Sequence, residues 1–269
     1  MKKIFLFLAG LGLLAALIGS LLGLSAHTLF AATRLTGSGK IVSRTQPVSA
    51  FEAVDVSRAV KVNIVRSSDK AVRIEADDNL LDKVIVRVKK GTLYIGVDKS
   101  VRKLSNSKIA VTVPYNEKLR ALEASSAARI CCEEPLVGRE VKLEASSAAT
   151  IRARVSSTAC DISASSAANI KADVTARECA VDASSAAQIE LTGAADDCDA
   201  SLSSASKFRG TEFVVKNYGI EASSGANAEI HCTEALDAEA TSGALIRYAG
   251  GGRATISRSS GGAVQTIDE

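Results

Sequence analysis

Tryptophan is absent from the 269 residues, methionine occurs once, histidine twice and proline three times. Phe and Tyr together number ten, and three of these (Phe5, Phe7 and Phe30) lie near the N-terminus. The remainder are too few to build stacking platforms for sugars or bases. Charge of one sign is also missing. The formal net charge is +3, and setting aside Lys2 and Lys3 leaves 31 basic against 30 acidic residues, which argues against a nucleic-acid partner. His27 and His231 are far apart, and the six cysteines include no Cys-x-x-Cys pair, so no metal site is expected. No Gly-x-Ser-x-Gly elbow accompanies the many serines, and neither histidine is a plausible triad partner. No catalytic residue and no cofactor are therefore predicted. With 46% hydrophobic and 23% charged residues and so little proline, the chain has enough apolar surface for a real core.

Lys2-Lys3 opens an apolar run from Ile4 to Leu24, and no charged residue follows until Arg34. A basic start before such a run is an export signal. Its length also suits a helix that crosses a membrane. No good small-x-small cleavage site follows, so residues 1–33 are either a cleaved signal peptide or a retained anchor. Either way the body is expected outside the cytoplasm, in the periplasm or at the cell surface, and a retained leader would anchor it at the inner membrane.

Self-comparison yields the strongest pattern. Ala-Ser-Ser-Ala-Ala occurs at 124–128, 145–149, 164–168 and 183–187. Degenerate copies then begin at Ser203, Ser223, Thr241 and Ser259. The first hydroxyl residues (Ser125, Ser146, Ser165, Ser184, Ser203, Ser223 and the two beyond) are 18 to 21 residues apart. Upstream of each copy apolar residues alternate, as in Val141, Leu143 and Ala145, or Cys160, Ile162 and Ala164. Downstream the same alternation continues, as in Ile130 and Cys132, Ile151 and Ala153, Ile170 and Ala172, or Ile189 and Leu191. This is strand period. A unit of about 19 residues with short strands cannot bury itself alone, whereas stacked units can. A β-sandwich would call for hairpin turns, and Asn-Gly and Asp-Gly pairs are absent. The expected fold is all-β: a parallel β-helix, or β-solenoid, preceded by an N-terminal apolar helix. Its Ser-Ser-Ala turns should form a column too tight for bulky residues, with serine hydroxyls serving turn backbone groups. Residues 34–269 then form one domain. Positions 34–118 supply irregular first coils and a cap without the Ser-Ser-Ala column, and 119–269 supply the repeat coils.

Phe51-Glu52-Ala53-Val54-Asp55-Val56, the segment Gly91-Thr92-Leu93 and the repeated small-residue turns together carry a family likeness. Over roughly residues 40–265 the chain resembles the putative auto-transporter adhesin head GIN domain. It departs by placing Ser-Ser-Ala where Ser-Gly-Ala or Ser-Gly-Ser would be expected in most copies. The resemblance implies an exported, adhesin-like β-helix and supplies no catalytic residues.

Cys160, Cys179 and Cys198 recur at the repeat period and should stack, either as buried thiols or with one disulfide among them. Outward positions before the turns are often acidic: Glu144, Asp161, Asp182, Asp199, Glu221 and Glu239. They build a strip that is either a solvated face, with Ser and Ala spacing like charges apart, or a binding surface for a cation or basic partner. Arg129, Arg152, Arg154, Lys171, Lys207 and Arg209 follow the turns, interrupted by Glu190 and Glu229, as a solvated face. The sequence thus reads as a non-enzymatic binding or structural module of the cell envelope, adhesin-like, with an unnamed surface ligand and a membrane contact only through an uncleaved leader. The alternative is a polysaccharide-acting enzyme on a β-helix scaffold. Its groove would need long bordering loops, which the short uniform coils do not provide.

Overall fold

In the repeat region each strand bends around the core and pairs in parallel with its counterpart one coil later. The computed structural model describes residues 33–267, so the leader helix read over Ile4–Leu24 lies outside the described residues. Arg129–Ala145, Thr150–Ala164, Asn169–Ala183, Gln188–Leu202, Lys207–Ala222 and Asn227–Ala240 are the long strands. Their registers run Ala145 to Ala164 to Ala183 to Leu202 to Ala222 to Ala240. Burial alternates along each of them, and Ile151, Ile170, Ile189 and Ile246 stack as one inward row with almost no exposure. The expected β-solenoid is the observed fold. Small inward residues explain the narrow coil. Alanines such as Ala145, Ala164 and Ala183 fill one row while β-branched residues fill the next.

The first coils break the sequence order. Ala53–Val56 pairs in parallel with Ala121–Ala124 on one side and Thr92–Val97 on the other. Lys61–Val65 lies likewise between Arg129–Ala145 and Ile109–Pro114. Antiparallel strands then close this end: Val84–Lys89 on Thr92–Val97, Ala71–Asp77 on Ile109–Pro114, and Ile41–Pro47 on Ala71–Asp77. Buried Asp77 ties the cap together, its carboxylate accepting from the Gly39 amide at 2.8 Å and the Lys108 amide at 2.7 Å. Among the described residues no helix is long and apolar enough to cross a membrane.

The structure corrects the expectation that residues 34–118 lack the turn column. Ser57-Arg58-Ala59-Val60 is a further copy, placed directly beneath Ser125-Ser126-Ala127-Ala128. Ser125 donates to the Val56 carbonyl at 2.9 Å, and Ala59 to the Ser126 carbonyl at 2.9 Å. The stretch from Lys61 to Leu119 separates two coils that touch, and Arg58 hides the serine pair.

Candidate functional site

Ser125, Ser146, Ser165, Ser184, Ser203 and Ser223 form one line. The amides of Ser146, Ser165, Ser184, Ser203 and Ser223 each donate to the residue before the previous turn's first serine, at 2.9–3.0 Å. Each turn closes on itself, as in Ala149 N–H to the Ser146 carbonyl at 3.1 Å. Its two central residues hold positive φ, 52° and 60° at Ser147 and Ala148. That is the left-handed region usually left to glycine. Glycine takes the second of these places only at Gly225, Gly243 and Gly261.

The structure also corrects the expected crowding. Ser126, Ser147, Ser166 and Ser185 are exposed at the turn tips, so bulk there meets solvent. The residue that faces inward is the fourth, as at Ala128, Ala149, Ala168 and Ala187. The first, third and fourth amides of each turn donate to backbone carbonyls of the same or an adjacent coil, as do Ser146, Ala148 and Ala149 to Ala124, Ser166 and Ser146, so these bonds do not depend on serine hydroxyls.

Cys160, Cys179 and Cys198 lie in register on three successive strands, all buried and all free thiols. Val141 precedes them and Tyr218 follows. Bonding to Cys160 and Cys198, reinforced by burial, raises the Cys179 pKa far above the ordinary thiol value. Burial pushes Cys132 up to about 12. Both are protonated at neutral pH and poor nucleophiles.

The acidic positions share a face but divide between two grooves. Asp161 and Asp199 line a groove of about 1200 Å³ together with Glu140, Glu178, Asp197 and Asp237. Small residues at Ala159, Ala180, Gly219 and Ala235 give it depth. A Cβ at Gly219 would stand 2.6 Å from the Asp199 carboxylate, so glycine leaves that carboxylate room. Asp182, Glu221 and Glu239 line a smaller groove of about 280 Å³, beside the turn serines. Glu144 lines neither. It bonds to Lys142 at 2.7 Å and stacks in register on Glu123, which stacks on Asp55. Here the expectation that Ser and Ala space the charges apart fails, because three successive strands carry carboxylates. Burial, then the neighbouring carboxylates, raise the pKa values of Asp55 and Glu123.

From Lys171 onward the row after the turns is an alternating ladder. Arg152, Lys171, Glu190, Arg209, Glu229 and Arg247 follow one another on adjacent strands. Lys171 reaches Glu190 at 2.5 Å, and Arg247 reaches Glu229 at 2.5 Å. Among the described residues no group of three His, Cys, Asp or Glu side chains is placed to hold a metal.

Comparison with known proteins agrees with this architecture. Several solved structures share the fold. A putative adhesin from Parabacteroides merdae superposes with a TM-score of 0.80 at 22% identity, covering 88% of this chain and 100% of its own. A putative adhesin from Parabacteroides distasonis gives 0.77 at 22%, covering 87% and 100%. A putative lipid binding protein from the same species gives 0.79 at 17%, covering 88% and 100%. No curated protein matches the chain. The model of the family described as "Putative auto-transporter adhesin, head GIN domain" matches residues 50–252, and the chain belongs to that family.

Proposed function

We propose that the chain is a non-enzymatic, adhesin-like module exported from the cytoplasm, which offers its acidic face to a cationic partner in the envelope or at the surface. One observation carries the reading. Carboxylates on successive coils line two open grooves along the stack, and among the described residues no long loop walls them into a reaction chamber. Family membership supports the adhesin-like character. The basic start and apolar run at the N-terminus support export, either as a cleaved signal or as an inner-membrane anchor. Asp161, Asp182, Asp199, Glu221 and Glu239 are the residues that meet the partner. Open, carboxylate-lined grooves of this kind favour binding by charge and shape over turnover.

Two experiments test this. A C-terminal fusion to a phosphatase that is active only outside the cytoplasm should be active, and a silent fusion would overturn export. The full chain should be retained on a polylysine surface at low salt. Asp161→Asn, Asp182→Asn and Asp199→Asn together should release it while the thermal transition is kept. Undiminished retention would remove the acidic face from the function. Turnover of an anionic polysaccharide that depends on these three residues would contradict the non-enzymatic reading.

A further inference from the structure

The outward row that includes Asp161 and Asp199 has a regular composition along the stack. On five successive strands it reads Asp161, Ala180, Asp199, Gly219, Asp237. Acid thus alternates with the smallest residues, a repeat of two strands or about 9.6 Å. The ladder after the turns has the same repeat in complementary form: Lys171, Glu190, Arg209, Glu229, Arg247. Lys171, Arg209 and Arg247 of that ladder and the three acids of the first row are exposed.

We infer that the acidic face takes a second copy of this chain, docked through its basic face with the two stacks side by side and staggered by one coil. In that register Asp161, Asp199 and Asp237 each meet a cation. Glu190 and Glu229 fall opposite Ala180 and Gly219, where no like charge stands. The adjoining row of the basic face presents Asn169, Gln188, Lys207 and Asn227, none of them acidic, toward Asp182 and Glu221. A generic cationic partner would match the charge of the groove. A second copy also matches its two-strand spacing, because both rows are built on the same coils. The contact joins unlike faces, so in a pair one copy keeps its basic face free and the other its acidic face, and association continues past the dimer. Exposed ion pairs are weak individually, and salt screens them over roughly 10 Å at 0.1 M and 3 Å at 1 M.

This inference rests on the acidic face being a binding surface and names its partner. Sedimentation velocity of the full chain in detergent micelles should show species larger than the monomer in 20 mM salt, growing with concentration. In 0.5 M salt they should disappear. The acid-reversed variant (Asp161→Lys, Asp199→Lys, Asp237→Lys) and the base-reversed variant (Lys171→Asp, Arg209→Asp, Arg247→Asp) should each be monomeric alone and associate when mixed. Circular dichroism of each confirms that it folds. If a variant fails to fold, zero-length carbodiimide coupling of mixed light and heavy isotope-labelled wild-type chains gives the second readout. It should yield intermolecular links between Lys171 and the peptide carrying Asp161. A monomer at all concentrations in 20 mM salt, or association indifferent to both reversals, would overturn the inference. If such a monomer still binds polylysine through Asp161 and Asp199, the acidic face remains a binding surface and only its partner has been misassigned.

Discussion

At the fourth position of each corner turn the side chain points into the coil, and there Ser206 stands where its neighbours above and below are Ala187 and Ala226. Its hydroxyl is buried and finds no hydrogen-bond partner. Burying an unmatched hydroxyl costs about 1–3 kcal/mol. Ser206→Ala should therefore stabilise the protein by about 1 kcal/mol, a rise of roughly 2–4 °C in melting temperature. A lower melting temperature would mean that the hydroxyl is satisfied. Two coils away, Ala168→Leu should cost about 1–3 kcal/mol through overpacking. Ser166→Asn, at the exposed tip of that turn, should change the melting temperature little, because asparagine accepts positive φ. The sequence made this column legible through four identical Ala-Ser-Ser-Ala-Ala copies. It did not distinguish the tip residue from the inward one, since both are small. The Ser57 copy escaped notice because Arg58 takes the exposed tip, where side-chain size is unconstrained.

Among the elements, the antiparallel cap and the first acidic ladder carry charges that the repeat does not. Asp77 holds two backbone amides from separate segments, those of Gly39 and Lys108. Asp77→Ala would strand both donors, and denaturant unfolding should register a loss of about 3 kcal/mol. No loss would show that the segment Gly37–Lys40 is not anchored by this carboxylate. Nothing in Asp77-Asp78-Asn79 signals this role, because the partners lie about thirty to forty positions away in the chain. Asp55 and Glu123 are less acidic than their ordinary values of 3.8 and 4.5, chiefly through burial. A folded-state pKa raised above the unfolded one means that the folded chain binds the proton more tightly. These groups therefore add stability below their ordinary values, and that contribution is lost as pH rises through the raised ones. Glu123→Gln removes one such group and one like charge in a stacked row. The variant should gain stability at pH 7 and show a smaller change between pH 7 and pH 4.5 than the wild type. An identical pH dependence in the two proteins would refute the effect.

At the scale of the whole molecule the stack ends differently at its two poles. Antiparallel strands cover the first coils, whereas the last coil, Arg253–Arg258 and Ala263–Thr266, pairs on one side only. In the register row Ala222, Ala240, Arg258, an exposed arginine follows two buried alanines at this end. A charged side chain on an edge strand discourages further strands from adding there. The acidic residues were readable as a strip, because their spacing follows the repeat. Their division into two grooves was not, since it depends on the outward Ala and Gly positions that give the larger groove its depth. The central claim is that one coil adds one rung, including the rung at Ser57 that precedes the others in the column by a long excursion of chain. Spin labels can be introduced as unnatural amino acids, leaving the buried thiols alone, with one fixed at Arg58 and the second at Ser185, Ser204, Ser224 or Ser242. These tips lie four, five, six and seven rungs from Arg58. Pulsed dipolar spectroscopy should give distances rising from about 19 Å to about 34 Å in equal steps of about 4.8 Å. Distances that do not rise by one strand spacing per rung, or that fit only when the Arg58 turn is removed from the column, would contradict the stack.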